Sequence, residues 1–173
     1  ASPRRRRSTV LLRESNIREN LEQLVTILRD EDAAYAESRA AERQHGGRRK
    51  STSISGGGTE PTSRPCIEYM LDNHVMEILC AMGLADQPRG MMGLVLQVVK
   101  LLLQHITHPL IPHISVHRPI NHLIHVCMEA RTVMHSGSSS TPGHKASYRM
   151  QSSLISLLAE IWRKIEVDPS LIR

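Results

Sequence analysis

One stretch narrows the possible folds more than any other. From Gly93 to Leu103 only Gln97 and Lys100 interrupt a series of leucines and valines. The spacing predicts a helix over about 89–107, apolar nearly all round, with Met91, Leu94, Val95, Leu96, Val98, Val99, Leu101, Leu102 and Leu103. A helix with so little polar face has to be covered on several sides. The run is too short and too polar to span a bilayer. The first residues, Ala1-Ser2-Pro3 and then Arg4 to Arg7, are followed by no long apolar stretch, unlike a secretory signal.

The neighbours that such a helix needs also read as helices. Ile17, Leu21, Leu24, Val25 and Leu28 fall on one helical face through about Asp30, and the Ala-rich stretch 32–43 continues that helix or adds a second. Ile67, Met70, Leu71, Val75, Ile78, Leu79 and Met82 repeat the spacing, with Asn73-His74 as a short turn between two helices. His108-Pro109 stops the central helix, and Pro112 limits 109–116 to one short helical piece. Pro119 then sits in the first turn of another helix, whose Ile120, Leu123, Ile124, Cys127 and Met128 share a face. A last long helix over about 148–166 is expected to bury Leu154, Ile155, Leu157, Leu158, Ile161, Trp162 and Ile165.

No strand is expected. Aromatic residues make up 2% of the chain and Phe is absent, which argues against sandwiches, barrels and the aromatic platforms that stack RNA bases. The fold class expected is all-α, an armadillo- or HEAT-like α-solenoid fragment in which helix pairs bury one another's faces; a compact helical bundle is the alternative. The organisation expected is a basic arm over 1–14, a helical segment over 15–45, a flexible Gly/Ser-rich linker over 46–64 and a helical repeat region over 65–173. That region holds a flexible loop at 135–147 and is expected to continue beyond the chain end.

The net charge of +5 is concentrated in Arg4 to Arg7 and in Arg48-Arg49-Lys50, both in polar surroundings that read as solvated linker. Each tract runs into a hydroxyl, making Ser8 and Ser51 candidate phosphorylation sites for basophilic kinases. Cys66, Cys80 and Cys127 are widely spaced and odd in number, which fits a reducing intracellular setting and no disulfide framework.

Six of the ten histidines lie between His105 and His125. His113/His117 and His122/His125 have the spacing of metal-ligand pairs, but Pro119 falls between the pairs and no carboxylate stands where a zinc-activated water would need a base. Helix caps, interhelical hydrogen bonds and surface positions are the plainer reading. With no nucleophile elbow and no phosphate-binding glycine loop ahead of a helix, no enzyme, cofactor or metal is expected.

Two strings carry a resemblance. Pro65-Cys66-Ile67-Glu68-Tyr69-Met70-Leu71 resembles the "PCxEYLL" segment of the FTS- and Hook-interacting protein family, and 109–120, with Pro109, Pro112, His113, His117, Arg118 and Pro119, is similar to its "PLLPHISVHRPV" stretch. Weaker likenesses at 20–28 and 168–171 occur in the same order. The resemblance implies a cytoplasmic, non-enzymatic scaffold, peripheral on endosomes or vesicles. It would bind Hook coiled-coil proteins and the FTS ubiquitin-conjugating-like protein, and through them join endosomal cargo to dynein–dynactin. The alternative is an unrelated helical-repeat module that contacts RNA or an acidic membrane through the basic tracts.

Overall fold

The computed structural model describes residues 12, 15–45, 63–134 and 144–168, with the backbone alone at 44–45, 130–134 and 144–149. The described residues are all-helical: α1 (Ile17–His45), α2 (Pro65–Asp72), α3 (Val75–Ala85), α4 (Met91–His105), α5 (Ile114–Met134) and α6 (His144–Val167). No strand occurs among them.

The almost wholly apolar α4 is the centre of the core, with Met91, Leu94, Val95, Leu96, Val98, Val99, Leu102 and Leu103 buried. It is covered by α1, α3 and α6. From α1 come Leu21, Val25 and Leu28, and from α6 Leu154 and Leu157. In turn α3 lies against α5, and α2 bridges α1, α3 and α5. The chain enters α4 through a loop in which Asp86 Oδ1 accepts the N–H groups of Gly90 (2.9 Å) and Met92 (3.0 Å). These are amides at the start of the helix that have no partner within it. Gly83 is buried inside α3 against α4: a Cβ there would stand 3.1 Å from Val95 Cβ.

Four local expectations are corrected. First, α3 buries Met76, Leu79, Cys80 and Gly83, while Ile78 is exposed. His74, at φ +52°, turns the chain through the left-handed region, so the apolar stripe does not run in phase from α2 into α3.

Second, Pro119 lies inside α5, and 109–116 is no separate helical piece. The proline forfeits one backbone bond, to Ser115 O. The buried row Val116, Ile120, Leu123 and Cys127 runs across it at helical spacing and holds the helix together. Met128, expected on that face, is exposed.

Third, α6 starts at His144, inside the stretch read as loop 135–147. Fourth, α6 buries only part of its apolar surface: Ile155, Leu158 and Trp162 face outward. The 32–43 stretch continues α1 as one helix.

Candidate functional site

On α1, Asp32 follows Leu21, Val25 and Leu28 on the face turned to the core, so the helix that buries three apolar side chains also buries a carboxylate, 1% exposed. A buried charge has to be paired and hydrogen-bonded. Asp32 Oδ2 accepts both the N–H and the hydroxyl of Thr107, each at 2.6 Å. Oδ1 forms an ion pair with Arg64 Nε at 2.9 Å, too obliquely aligned to count as a hydrogen bond. The next carboxylate back along α1, that of Glu31, accepts the N–H of Cys66 (2.8 Å) through Oε1 and of Ile67 (2.9 Å) through Oε2. Two adjacent acids on α1 therefore hold the start of α2 and the connection leaving α4.

Arg64 is the second member of this hub. Its guanidinium lies 3.9 Å from the centroid of Tyr35, a cation–π contact, and its Nη1 is 2.9 Å from His108 Nδ1. Guanidinium nitrogens only donate, so Nδ1 accepts and the proton of the neutral ring sits on Nε2. The His108 pKa is held below the usual histidine value, first by burial, then by the charges of Arg64 and His113, against the opposite pull of Asp32 and Glu68. The His108 and His113 rings stand 5.4 Å apart, tilted. On the far side, Lys164 Nζ donates to Ile106 O at 3.0 Å. Burial and then Arg163 lower the Lys164 pKa, while Glu160 and Asp32 oppose them.

The two strings singled out in the sequence meet at this hub: Arg64 immediately precedes Pro65, and His108 immediately precedes Pro109. Within the first string, Pro65 opens α2, Glu68 Oε1 accepts the Arg64 N–H at 3.4 Å, Leu71 is half-buried and Tyr69 is exposed. Cys66 is exposed, and its thiol pKa is raised, first by a hydrogen bond to Glu31, then by burial and by the Glu31 charge. In the second string, Pro109, Pro112 and Arg118 are exposed, whereas His113, His117 and Pro119 are half-buried. Ser8 and Ser51 lie outside the described residues, as do both basic tracts.

The histidine pairs are less divided than their spacing implied. His117, His122 and His125 all lie on α5, and His113 directly precedes it, accepting the N–H groups of Val116 and His117 at its carbonyl. Among the described residues, no three His, Cys, Asp or Glu side chains are grouped as metal ligands. His125 Nδ1 is 3.4 Å from the exposed Glu129 carboxylate. Cys80 and Cys127 are buried, and burial pushes the Cys80 thiol up to about 12.

Sequence reasoning missed Glu31, Asp32, Arg64, Thr107 and Lys164 as a group. One signal was present: Asp32 continues the apolar row Leu21, Val25, Leu28, where a carboxylate requires a buried partner. With both Asp32 oxygens engaged by protein groups, the hub ties elements together instead of presenting a carboxylate to a ligand. The cleft on its Thr107 side, lined by Ile106, Thr107, His108 and Lys164 among others, encloses about 180 Å³, less than the roughly 300–1,000 Å³ of small-molecule pockets. On the other side Tyr35, Arg39 and Arg64 among others line an open groove of about 580 Å³.

The other feature that stands out is a surface. On α6, Ile155 (65% exposed), Leu158 (40%) and Trp162 (65%) form a second apolar row beside the buried Leu154 and Leu157. Among the described residues, no helix is long and apolar enough to cross a membrane.

A family model described as RAI16-like, retinoic acid induced 16-like protein, matches residues 66–173. No solved structure matches the chain. The match corrects the family assignment drawn from the strings at 65–71 and 109–120: the family found is RAI16-like, not the FTS- and Hook-interacting protein family.

Proposed function

The chain belongs to the RAI16-like family, and we propose that it serves as a non-enzymatic helical scaffold that holds protein partners. The observation that carries this reading is the outward row of Ile155, Leu158 and Trp162 on α6. Large apolar side chains on the face of a helix already docked through Leu154 and Leu157 mark a surface made to be covered. The row ends in Trp162, and tryptophan is among the side chains enriched at the anchoring positions of protein interfaces.

The order of packing supports a solenoid as the form of the scaffold. The pair α3–α4 is followed by α5–α6, with α3 against α5 and α4 against α6. Stacking of α3 on α5 and of α4 on α6 is the register of helix-pair repeats, which build long binding surfaces from elements that touch only their neighbours.

The partners to test first are Hook coiled-coil proteins and the FTS ubiquitin-conjugating-like protein, to which the likeness of the strings at 65–71 and 109–120 first pointed. The experiment is a pull-down from cytosol with the wild-type chain and with the I155E/W162E variant. Recovery of Hook and FTS by the wild type and its loss in the variant, at unchanged helical circular dichroism, supports the reading. Recovery of neither partner by the wild type overturns that choice of partners. Binding to RNA or acidic vesicles that weakens steeply with salt would favour the module acting through basic tracts.

A further inference from the structure

We propose that the contact between Arg64 and His108 is an acid-sensitive latch on α1, closed while His108 is neutral and opened when its ring takes up a proton. The geometry permits one protonation state. Arg64 Nη1 lies 2.9 Å from His108 Nδ1, and a guanidinium has no lone pair to offer, so a proton on Nδ1 sets two donors against each other.

The buried carboxylate beside this contact is already engaged. Asp32 Oδ2 is occupied by both donors of Thr107, and Oδ1 is paired with Arg64 itself. The charged and titratable groups facing His108 come from every element around it. These are Asp32 on α1, Arg64 ahead of α2, Glu68 on α2, His113 in the turn before α5, and Lys164 and Asp168 at the end of α6. Arg64 and His113 disfavour the charged ring, together with burial, while Asp32 and Glu68 favour it; the balance is a pKa below the ordinary 6.5.

The sign follows from linkage. A histidine whose folded pKa lies below its unfolded value contributes stability that is fully present above about 6.5 and is lost as pH falls through the folded pKa. The loss is directed at α1. The side chain displaced by the proton is Arg64, which pairs with Asp32 and covers Tyr35, both on α1. Opening the latch therefore loosens the C-terminal half of α1 from the α2 and α4 ends, while the apolar contacts of Leu21, Val25 and Leu28 remain.

The test is hydrogen exchange of the full chain, following the α1 amides between Asp32 and Arg39 from pH about 7.5 to about 5.5, corrected for the intrinsic pH dependence of exchange. Wild-type protection is expected to fall across this range as His108 takes up its proton. In the H108Q variant the amide oxygen still accepts from Arg64 and cannot be protonated, so protection is expected to stay level.

An equal fall in H108Q, or no fall in the wild type, overturns the latch. The second of these results is what His108 taking the place of Arg64 on Asp32 would give. Should H108Q fail to fold, H113Q provides an independent reading. Removing that neighbouring charge should move the midpoint to higher pH, and an unmoved midpoint overturns the assignment.

Discussion

Asp32 and Thr107 are joined twice by a single oxygen: Oδ2 of the carboxylate accepts the backbone N–H and the hydroxyl of the threonine, each at 2.6 Å, across 75 residues of chain. This tie joins α1 to the connection leaving α4, and it is made by a residue with 1% of its surface exposed. Asp32→Ala should therefore destabilise the chain by about 3 kcal/mol, because Arg64 and the Thr107 amide lose their buried partner. Thr107→Val removes the hydroxyl alone and should cost about 1 kcal/mol. Urea denaturation followed by circular dichroism measures both, and an Asp32→Ala cost no greater than that of Thr107→Val would contradict the hub.

The contact of Gly83 with Val95 gives a steric prediction. Alanine ordinarily strengthens a helix over glycine by about 1 kcal/mol. Here the new methyl group would stand 3.1 Å from Val95 Cβ and 3.2 Å from its Cγ1. A Cβ has no torsion by which to move aside, so α3 and α4 must separate. We expect Gly83→Ala to destabilise by about 1–2 kcal/mol net, the overpacking cost exceeding the gain in propensity. In a double-mutant cycle with Val95→Ala, which removes Cγ1, the cost of Gly83→Ala should shrink.

Glu31 links the stability of α2 to the chemistry of a thiol. It accepts the N–H groups of Cys66 and Ile67, so Glu31→Ala should cost about 1 kcal/mol as the loss of an N-terminal cap. The same carboxylate raises the Cys66 pKa through a hydrogen bond, with burial and its charge adding to the effect. A raised pKa means less thiolate at a given pH, so Glu31→Gln should speed alkylation of Cys66 at mildly alkaline pH. Cys80, pushed up to about 12 and buried, should react only when the chain unfolds. Mass-spectrometric timing of iodoacetamide labelling checks both statements.

Neighbouring residues on α6 should separate stability from docking. Leu157 is 0% exposed and Trp162 is 65% exposed. Leu157→Ala should destabilise by about 2–5 kcal/mol, as core truncations do. Trp162→Glu should stay within about 0.5 kcal/mol of the wild type, as exposed substitutions do, while removing partner capture. Thermal melts alongside the pull-down distinguish the two. A Trp162→Glu variant as unstable as Leu157→Ala would show that the outward row belongs to the core.

What was determined by the sequence alone is local. Apolar spacing marked the helices, the turn at Asn73-His74 and α4 as the element most completely surrounded, because helical periodicity is written within a few turns of chain. The tertiary structure decided what depends on more than one element. His74 at φ +52° changed the phase of α3, and the buried row from Val116 to Cys127 carried α5 through Pro119.

On α6 the sequence offers two apolar rows of similar strength, and only the position of α4 selects Leu154 and Leu157 over Ile155 and Trp162. The hub was equally out of reach. Asp32, Arg64, Thr107 and His108 are polar residues scattered along the chain, and no periodicity records which buried charge will find which donor until the helices have packed.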